Sequence, residues 1–255
     1  MNSCIFKVKK VIQINLFIAV KALGLGFTVY NILPNIYFRN KCRYIIKKID
    51  NEDSIFLTFD DGPDPRYTLR ILKILERYEI KATFFVVANK AKKHPDIINK
   101  MIEDGHGLGL HSYSHRSFWL SLFWKTKRDF EKSMEIFNDL NYSLEYFRPP
   151  WGTFNLFTSY FSRKNKLETI LWSLNAQDWS KKTTVEHITN KIVDNTKSGD
   201  IIVLHDSNGA ENAPENTIKA LEIIIPKLIE KGFKFKTIDE SKRGNKYEKI
   251  VSKDS

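Results

Sequence analysis

The sequence predicts an α/β protein, a distorted (β/α)7-type barrel behind a hydrophobic N-terminal membrane segment. Three observations predict it: short runs rich in β-branched and aromatic residues, amphipathic stretches that alternate with them, and one long apolar segment before residue 50. At 255 residues the chain suits one single-core domain, since α/β barrels routinely use this length undivided. A composition of 42% hydrophobic and 28% charged residues is that of a globular protein, neither polytopic nor disordered.

The first element is the apolar segment from Val11 to about Phe38, long enough to cross a bilayer although Asn15, Lys21, Asn31 and Pro34 interrupt it. It reads as an uncleaved anchor, with an interfacial helix or a signal peptide as the competing readings; no small-residue cleavage site follows it. The charge supports a lipid partner. Of the formal net charge of +11, residues 1–50 carry +8, from nine Lys/Arg against Asp50 alone, and only +3 remains for 51–255. The basic excess therefore flanks the apolar segment, where anionic head groups lie, and speaks against a nucleic-acid surface on the globular part. Basic residues on both sides leave orientation undecided. Cys4 and Cys42 sit at opposite ends of the segment and 51–255 hold no cysteine, so any metal there must be held by His and carboxylate.

From Ser54 onward seven runs read as strands: SIFLTF (54–59), ATFFVVA (82–88), GLGLHS (107–112), EYFR (145–148), TILWSL (169–174), DIIVLH (200–205) and FKFKTI (233–238). Helical periodicity spans Thr68–Tyr78, Pro95–Asp104, Thr126–Leu140, Val185–Thr196 and Asn216–Lys231. Gly105, Gly199 and Gly232 stand where left-handed C-terminal caps are wanted, and Pro226 is expected to kink or shift the last helix. Alternation of this kind means a parallel sheet or barrel. The domain expectation is thus an anchor with basic flanks (1–50), one catalytic domain (51–240) and a polar tail (241–255).

Residues able to do chemistry gather at the C-terminal ends of the predicted strands, where α/β barrels carry their sites. Asp60 and Asp61 end the first strand before a Gly62-Pro63 turn, which can bring both carboxylates to one pocket. His111 and His115, four apart, share a face if the chain turns helical there, and two His with one carboxylate suffice for a catalytic Zn2+. Arg148, Asp178 and His205 stand at or just past three further strand ends. Each has a plain alternative: turn caps for the acids, a surface guanidinium, a helix N-cap, a core histidine. Those alternatives explain each residue alone, not the recurrence of acid, metal ligand, cation and titratable His at five strand ends. His94, His106 and His187 lack such partners and read as structural or solvent-exposed.

With these residues assembled, the chain resembles the polysaccharide deacetylase family, also called NodB-homology or carbohydrate esterase family 4, over about residues 54–240. The motifs are TFDDGP (58–63), HSYSH (111–115), RPPWG (148–152), the pair Asp178-Trp179 and IVLHD (202–206). The resemblance implies a divalent metal, most often Zn2+, on Asp61, His111 and His115, with Asp60 as general base and His205 as general acid. It implies that Arg148 orients Asp60, that Asp178 holds His205, that the Trp151 N–H steadies the oxyanion, and that Trp179 and Leu204 line the acetyl pocket. Asn175 stands three residues before the Asp-Trp pair where relatives often have an acid, Trp151 replaces the commoner Tyr, and GLGL precedes the second motif; these departures touch substrate fit, not catalytic atoms. The implied activity is hydrolysis of an N-acetyl group on an amino sugar of a cell-wall or surface glycan. A deacylase or deformylase of a lipid-linked sugar and a non-catalytic glycan-binding relative are the alternatives. Function, not charge, then points the domain outside the cell membrane, as a single-pass monomer.

Overall fold

The computed structural model describes residues 2–49 and 53–240, side chains from residue 13 onward. The expected polar tail, 241–255, and the Cys4 side chain lie outside the described residues.

The chain begins with one nearly continuous helical rod: α1 (Asn2–Phe27), a π-helical turn (Thr28–Ile32) and α2 (Leu33–Asn40). Its stretch Gln13–Asn40 is long and apolar enough to cross a membrane and is largely unburied. Pro34 explains the π turn. It has no N–H to give the Tyr30 carbonyl one turn back, and such gaps are where helices bulge. The Tyr30 carbonyl instead accepts the N–H of Leu156, at 2.8 Å. Asn35 Oδ1 accepts the Phe154 N–H at 3.0 Å, and the Phe38 and Phe154 rings pack with centroids 5.4 Å apart. The end of the rod is therefore docked on the globular part.

Among the described residues nine strands form one sheet whose strand pairings are parallel: β1 (Ile45–Ile46), β2 (Ser54–Asp60), β3 (Thr83–Val86), β4 (Gly107–Leu110), β5 (Tyr146–Phe147), β6 (Glu168–Ile170), β7 (Leu174–Asn175), β8 (Ile201–His205) and β9 (Lys234–Phe235). Their order is β1-β6-β5-β4-β3-β2-β8-β7, with β9 added to β2. This is the expected distorted barrel, curled but opened between β7 and β1. The seven expected strands are present, with one difference: the run TILWSL divides into β6 and β7 around Leu171-Trp172-Ser173. β1 is an addition, and Ile49 joins the inner core, so the sheet takes in residues that the sequence places with the basic flank.

Around the sheet lie α3 (Thr68–Arg77), α4 (Ala88–Lys93), α5 (Pro95–Glu103), α6 (Phe123–Asp139), α7 (Thr158–Lys164), α8 (Val185–Asn195) and α9 (Ala213–Glu230). Gly105, Gly199 and Gly232 take positive φ, as caps require. Pro226 lies inside α9 without ending it, and Pro214 in the first turn lets that helix start three residues before the expected Asn216.

Period two along the strands sorts the core into two layers. On β2, Ile55, Leu57 and Phe59 face the helices, while Phe56 joins Phe85, Tyr146, Ile170 and Ile201 inside the curl. Continuing that alternation sends Thr58 and Asp60 inward. All seven residues of β2 are buried, as a parallel strand covered on both sides demands.

Candidate active site

Register brings the chemistry to one level. Asp60 of β2 pairs with His205 of β8 across the sheet and with Phe85 of β3. One step further on, Val86, Leu110 and Phe147 align, so Asp61, His111 and Arg148 all leave the sheet at its C-terminal rim. Asp61 (φ 82°), Ser112 (φ 66°), His115 (φ 53°), Trp151 (φ 55°) and Asn208 (φ 58°) adopt left-handed backbone there, a costly conformation for non-glycine residues that clusters where a site over-determines it. Gly62 is required by close approach: a Cβ there would lie 2.0 Å from Asp206 Oδ2.

Asp61 Oδ1 lies 2.8 Å from His115 Nε2 and 3.3 Å from His111 Nε2, and one ligand atom from each residue falls within 4.8 Å of the others. The expected shared helical face is corrected here. Residues 111–115 form a turn, and the pair converges because Ser112 and His115 are both left-handed. The donor set fits a divalent ion. His111 Nδ1 lies 2.8 Å from the Arg148 carbonyl, which can only accept, so the neutral ring carries its lone pair on Nε2, toward Asp61. Asp61 Oδ1 is buried with no hydrogen bond of good direction. Facing lone pairs of this kind are reconciled by a cation between them.

Asp60 is gripped from behind. Arg148, fully buried, donates from Nη1 to Asp60 Oδ1 at 2.6 Å and to Thr58 Oγ1 at 2.8 Å, and from Nη2 to the Leu171 carbonyl at 3.1 Å. Its guanidinium stacks 3.9 Å from the Phe85 ring centre. Asp60 Oδ2 lies 3.9 Å from His111 Nε2, beside the ligand trio.

His205 is gripped in the same way. Asp178 Oδ1 takes Nδ1–H at 2.8 Å, while its Oδ2 accepts both the His205 backbone N–H and the Thr217 hydroxyl at 2.8 Å. Burial alone would lower the affinity of His205 for a proton. The adjacent Asp178, helped by Asp61 and Asp60, more than offsets this and pushes the imidazole up to about 9. Because that value lies above the ~6.5 of an unfolded histidine, the pair adds stability that is complete below about 6.5 and is lost as pH rises through about 9. In Asp178→Asn the titration of His205, followed by NMR or by the alkaline limb of a rate profile, is expected to move from about 9 toward ~6.5. An unmoved limb would show that Asp178 does not hold the proton.

Asp60, Asp61, His111, His115 and His205 line one cavity of about 650 Å³ together with Lys90, Trp151, Trp172, Asn175, Trp179 and Val203, and Arg148 and Asp178 stand behind it. Trp151 packs 4.4 Å from the His115 ring, and both Trp151 and Trp179 are half exposed at the rim. Leu204 is a correction. Alternation along β8 turns Val203 and His205 to the cavity, and Leu204 packs with Ile202 under the helices. Three further residues were not singled out from the sequence. Lys90 donates to the Asp61 carbonyl at 2.8 Å and to Ser207 Oγ at 2.7 Å, from α4, which carries no apolar periodicity. Asp206 accepts the Thr68 hydroxyl at 2.6 Å, and burial pushes its carboxyl up to about 7. Thr217 comes from α9, a separation no local pattern reveals. Of the other histidines, His106 is buried and accepts the Ala82 N–H on Nδ1, burial pushing it down to about 4, while His187 is exposed.

The sequence matches the polysaccharide deacetylase family model over residues 47–170. It is similar to a Bacillus cereus peptidoglycan-N-acetylglucosamine deacetylase, 35% identical over 193 residues that cover 75% of this chain and 89% of the relative. An Azorhizobium caulinodans chitooligosaccharide deacetylase is 29% identical over 193 residues, 72% of this chain and 91% of the relative. Among solved structures, a peptidoglycan N-acetylglucosamine deacetylase in complex with 4-naphthalen-1-yl-N-oxidanyl-benzamide superposes with a TM-score of 0.72 at 30% identity, over 78% of this chain and 92% of that one. Strand-end carboxylates, convergent histidines and these matches agree, and the chain belongs to the polysaccharide deacetylase family of hydrolases.

Proposed function

We propose that the chain is a metal-dependent N-deacetylase of an amino sugar in a cell-wall or surface glycan, held in the cell membrane by residues 11–38 with its catalytic part, 51–240, outside. One observation carries this: three ligand atoms, a carboxylate locked to a buried guanidinium and a histidine locked to a buried aspartate face one cavity. The names of its relatives make N-acetylglucosamine of peptidoglycan the first substrate to try.

An amide is a poor electrophile with a poor leaving group, so its hydrolysis needs an activated nucleophile, charge stabilisation on oxygen and a proton for nitrogen. Asp60, kept in place by Arg148, takes a proton from the attacking water as its oxygen bonds to the carbonyl carbon. Asp61, His111 and His115 would hold the divalent ion, for which Zn2+ is the fitting choice by donor type. When bound, that ion supplies Lewis-acid polarisation of the carbonyl. The Trp151 N–H donates to the oxyanion. As the carbon–nitrogen bond breaks, acetate departs and the amine takes the proton from His205 Nε2, which Asp178 has kept charged. Val203 and Trp179 line the place of the acetyl methyl, and the exposed faces of Trp151 and Trp179 suit stacking on a sugar ring.

Acetate release across peptidoglycan, chitin oligomers and poly-N-acetylglucosamine tests the substrate. Dialysis against a chelator is expected to abolish turnover and added Zn2+ to restore it. Turnover unchanged by chelation would overturn the metal role, and no release from any glycan by metal-loaded protein would favour a glycan-binding relative. A second reading, deacylation of a lipid-linked sugar, is favoured by the rod docked beside the cavity; faster turnover of polyprenyl-phosphate sugars than of soluble oligomers would establish it.

A further inference from the structure

Between the cavity and the helical rod lies a face that neither uses. The segment 116–124 follows His115 and has the sequence RSFWLSLFW, leading into α6. Phe118 is buried and fixes it, yet Trp119, Leu120, Leu122, Phe123 and Trp124 are all exposed, Leu120 to 74% and Trp124 to 62%. Five large apolar side chains in six positions form a patch of the kind that marks an interaction site.

The patch is tied to the rod at a defined height. The Ser121 carbonyl accepts the Tyr30 hydroxyl at 3.1 Å and the Asn155 side-chain amide at 2.9 Å. From Val11 to Tyr30 is about 20 residues, or about 30 Å of helix, the thickness of a hydrocarbon core. Tyr30 thus falls where a span beginning at Val11 would emerge, the level at which Trp and Tyr collect in membrane proteins. Behind the patch, toward the cavity, runs a groove of about 580 Å³ walled by Phe118, Ser121, Arg116, Lys125, Arg128 and Lys132. Its acid, Asp129, is occupied by the Tyr113 N–H at 2.9 Å. Among the described residues none of the four cations has an ion-pair partner. Apolar and aromatic side chains at the edge and unpaired cations just behind them match the layering of acyl chains and phosphate head groups.

We propose that this face seats on an anionic lipid bilayer: Trp119, Leu120, Leu122, Phe123 and Trp124 enter the head-group and acyl boundary, and Arg116, Lys125, Arg128 and Lys132 meet lipid phosphates. Continuity with the rod, composition and charge favour lipid over a second copy of the chain. The inference rests on residues 11–38 being a membrane anchor, with 11–30 crossing the hydrocarbon and the docked end, 31–38, above it. It bears on substrate, because the cationic groove and the catalytic cavity share Asn89 and Ser114. A glycan presented at the bilayer surface is what such a mouth meets.

The test uses the full chain in vesicles of phosphatidylcholine and phosphatidylglycerol with brominated acyl chains, which quench only immersed indoles. Two of the five tryptophans lie in the patch, so emission is expected to fall by roughly two fifths relative to unbrominated vesicles. Trp119→Phe/Trp124→Phe should lose that fall, and Leu120→Glu/Leu122→Glu should lift the indoles out while the protein still floats with the vesicles. Flotation reports the rod and quenching reports the patch. A wild-type chain that resists carbonate washing but is not quenched overturns the proposal and leaves the anchor; if such a chain also sits as two copies per lipid nanodisc, the patch is a chain–chain contact. Quenching equal in purely zwitterionic vesicles would overturn the role given to the four cations.

Discussion

Asp60→Asn is expected to lower kcat/KM for acetate release by ~10²–10⁴-fold, the contribution of a positioned general base. Asparagine keeps the shape and still offers an oxygen to Arg148 Nη1, now 2.6 Å from Asp60 Oδ1, but it cannot take a proton from water. The ligand trio is untouched, so bound metal per folded chain should be unchanged. Rates are to be read per folded molecule, because Arg148 loses its counter-charge in this variant. Wild-type turnover in metal-loaded, folded Asp60→Asn would remove Asp60 from the chemistry.

Arg148→Met carries the second large effect, this time on stability. The guanidinium is wholly buried and satisfies Asp60, Thr58 and the Leu171 carbonyl at once. Methionine leaves a buried carboxylate unpaired, a change that costs about 3–5 kcal/mol. For a domain of this size that is an apparent Tm drop of about 6–20 °C in detergent. Combining it with Asp60→Asn removes the orphaned charge, and exchanging a whole buried pair for neutral groups is often close to neutral. The double variant should therefore melt above Arg148→Met while staying inactive. Equal melting of the two would mean that the pair is not coupled and that Arg148 acts only through its carbonyl contacts.

The sequence legibility of the fold followed the length of each signal. Long amphipathic stretches such as Thr68–Arg77 and runs such as β2 and β8 announce themselves by period, but ANKAKK of α4 has no apolar stripe, and β1 is two isoleucines inside a basic flank. At the site, residue types were legible and geometry was not. His111 and His115 were found by spacing, yet a left-handed turn rather than a helix brings them together. The period of two along β8 that places His205 in the cavity places Val203 there too and turns Leu204 under the helices. Lys90 and Thr217 reach the site from helices far off in sequence, and only the pairing of Asp60 with His205 and the docking of α9 on Asp178 reveal what they hold.

The docking of the rod on the loop 153–157 has a mechanical consequence. An enzyme on a flexible tether sweeps a volume whose radius grows with the square root of tether length, and it can graze through a thick polymer layer. Here the Leu156 bond to the Tyr30 carbonyl and the Phe154 bond to Asn35 leave no tether to pay out. With the rod as the proposed anchor, the cavity would keep a nearly fixed altitude above the bilayer, set by a domain whose radius of gyration is about 16 Å. Its search for substrate would then be two-dimensional, along the surface that holds the rod.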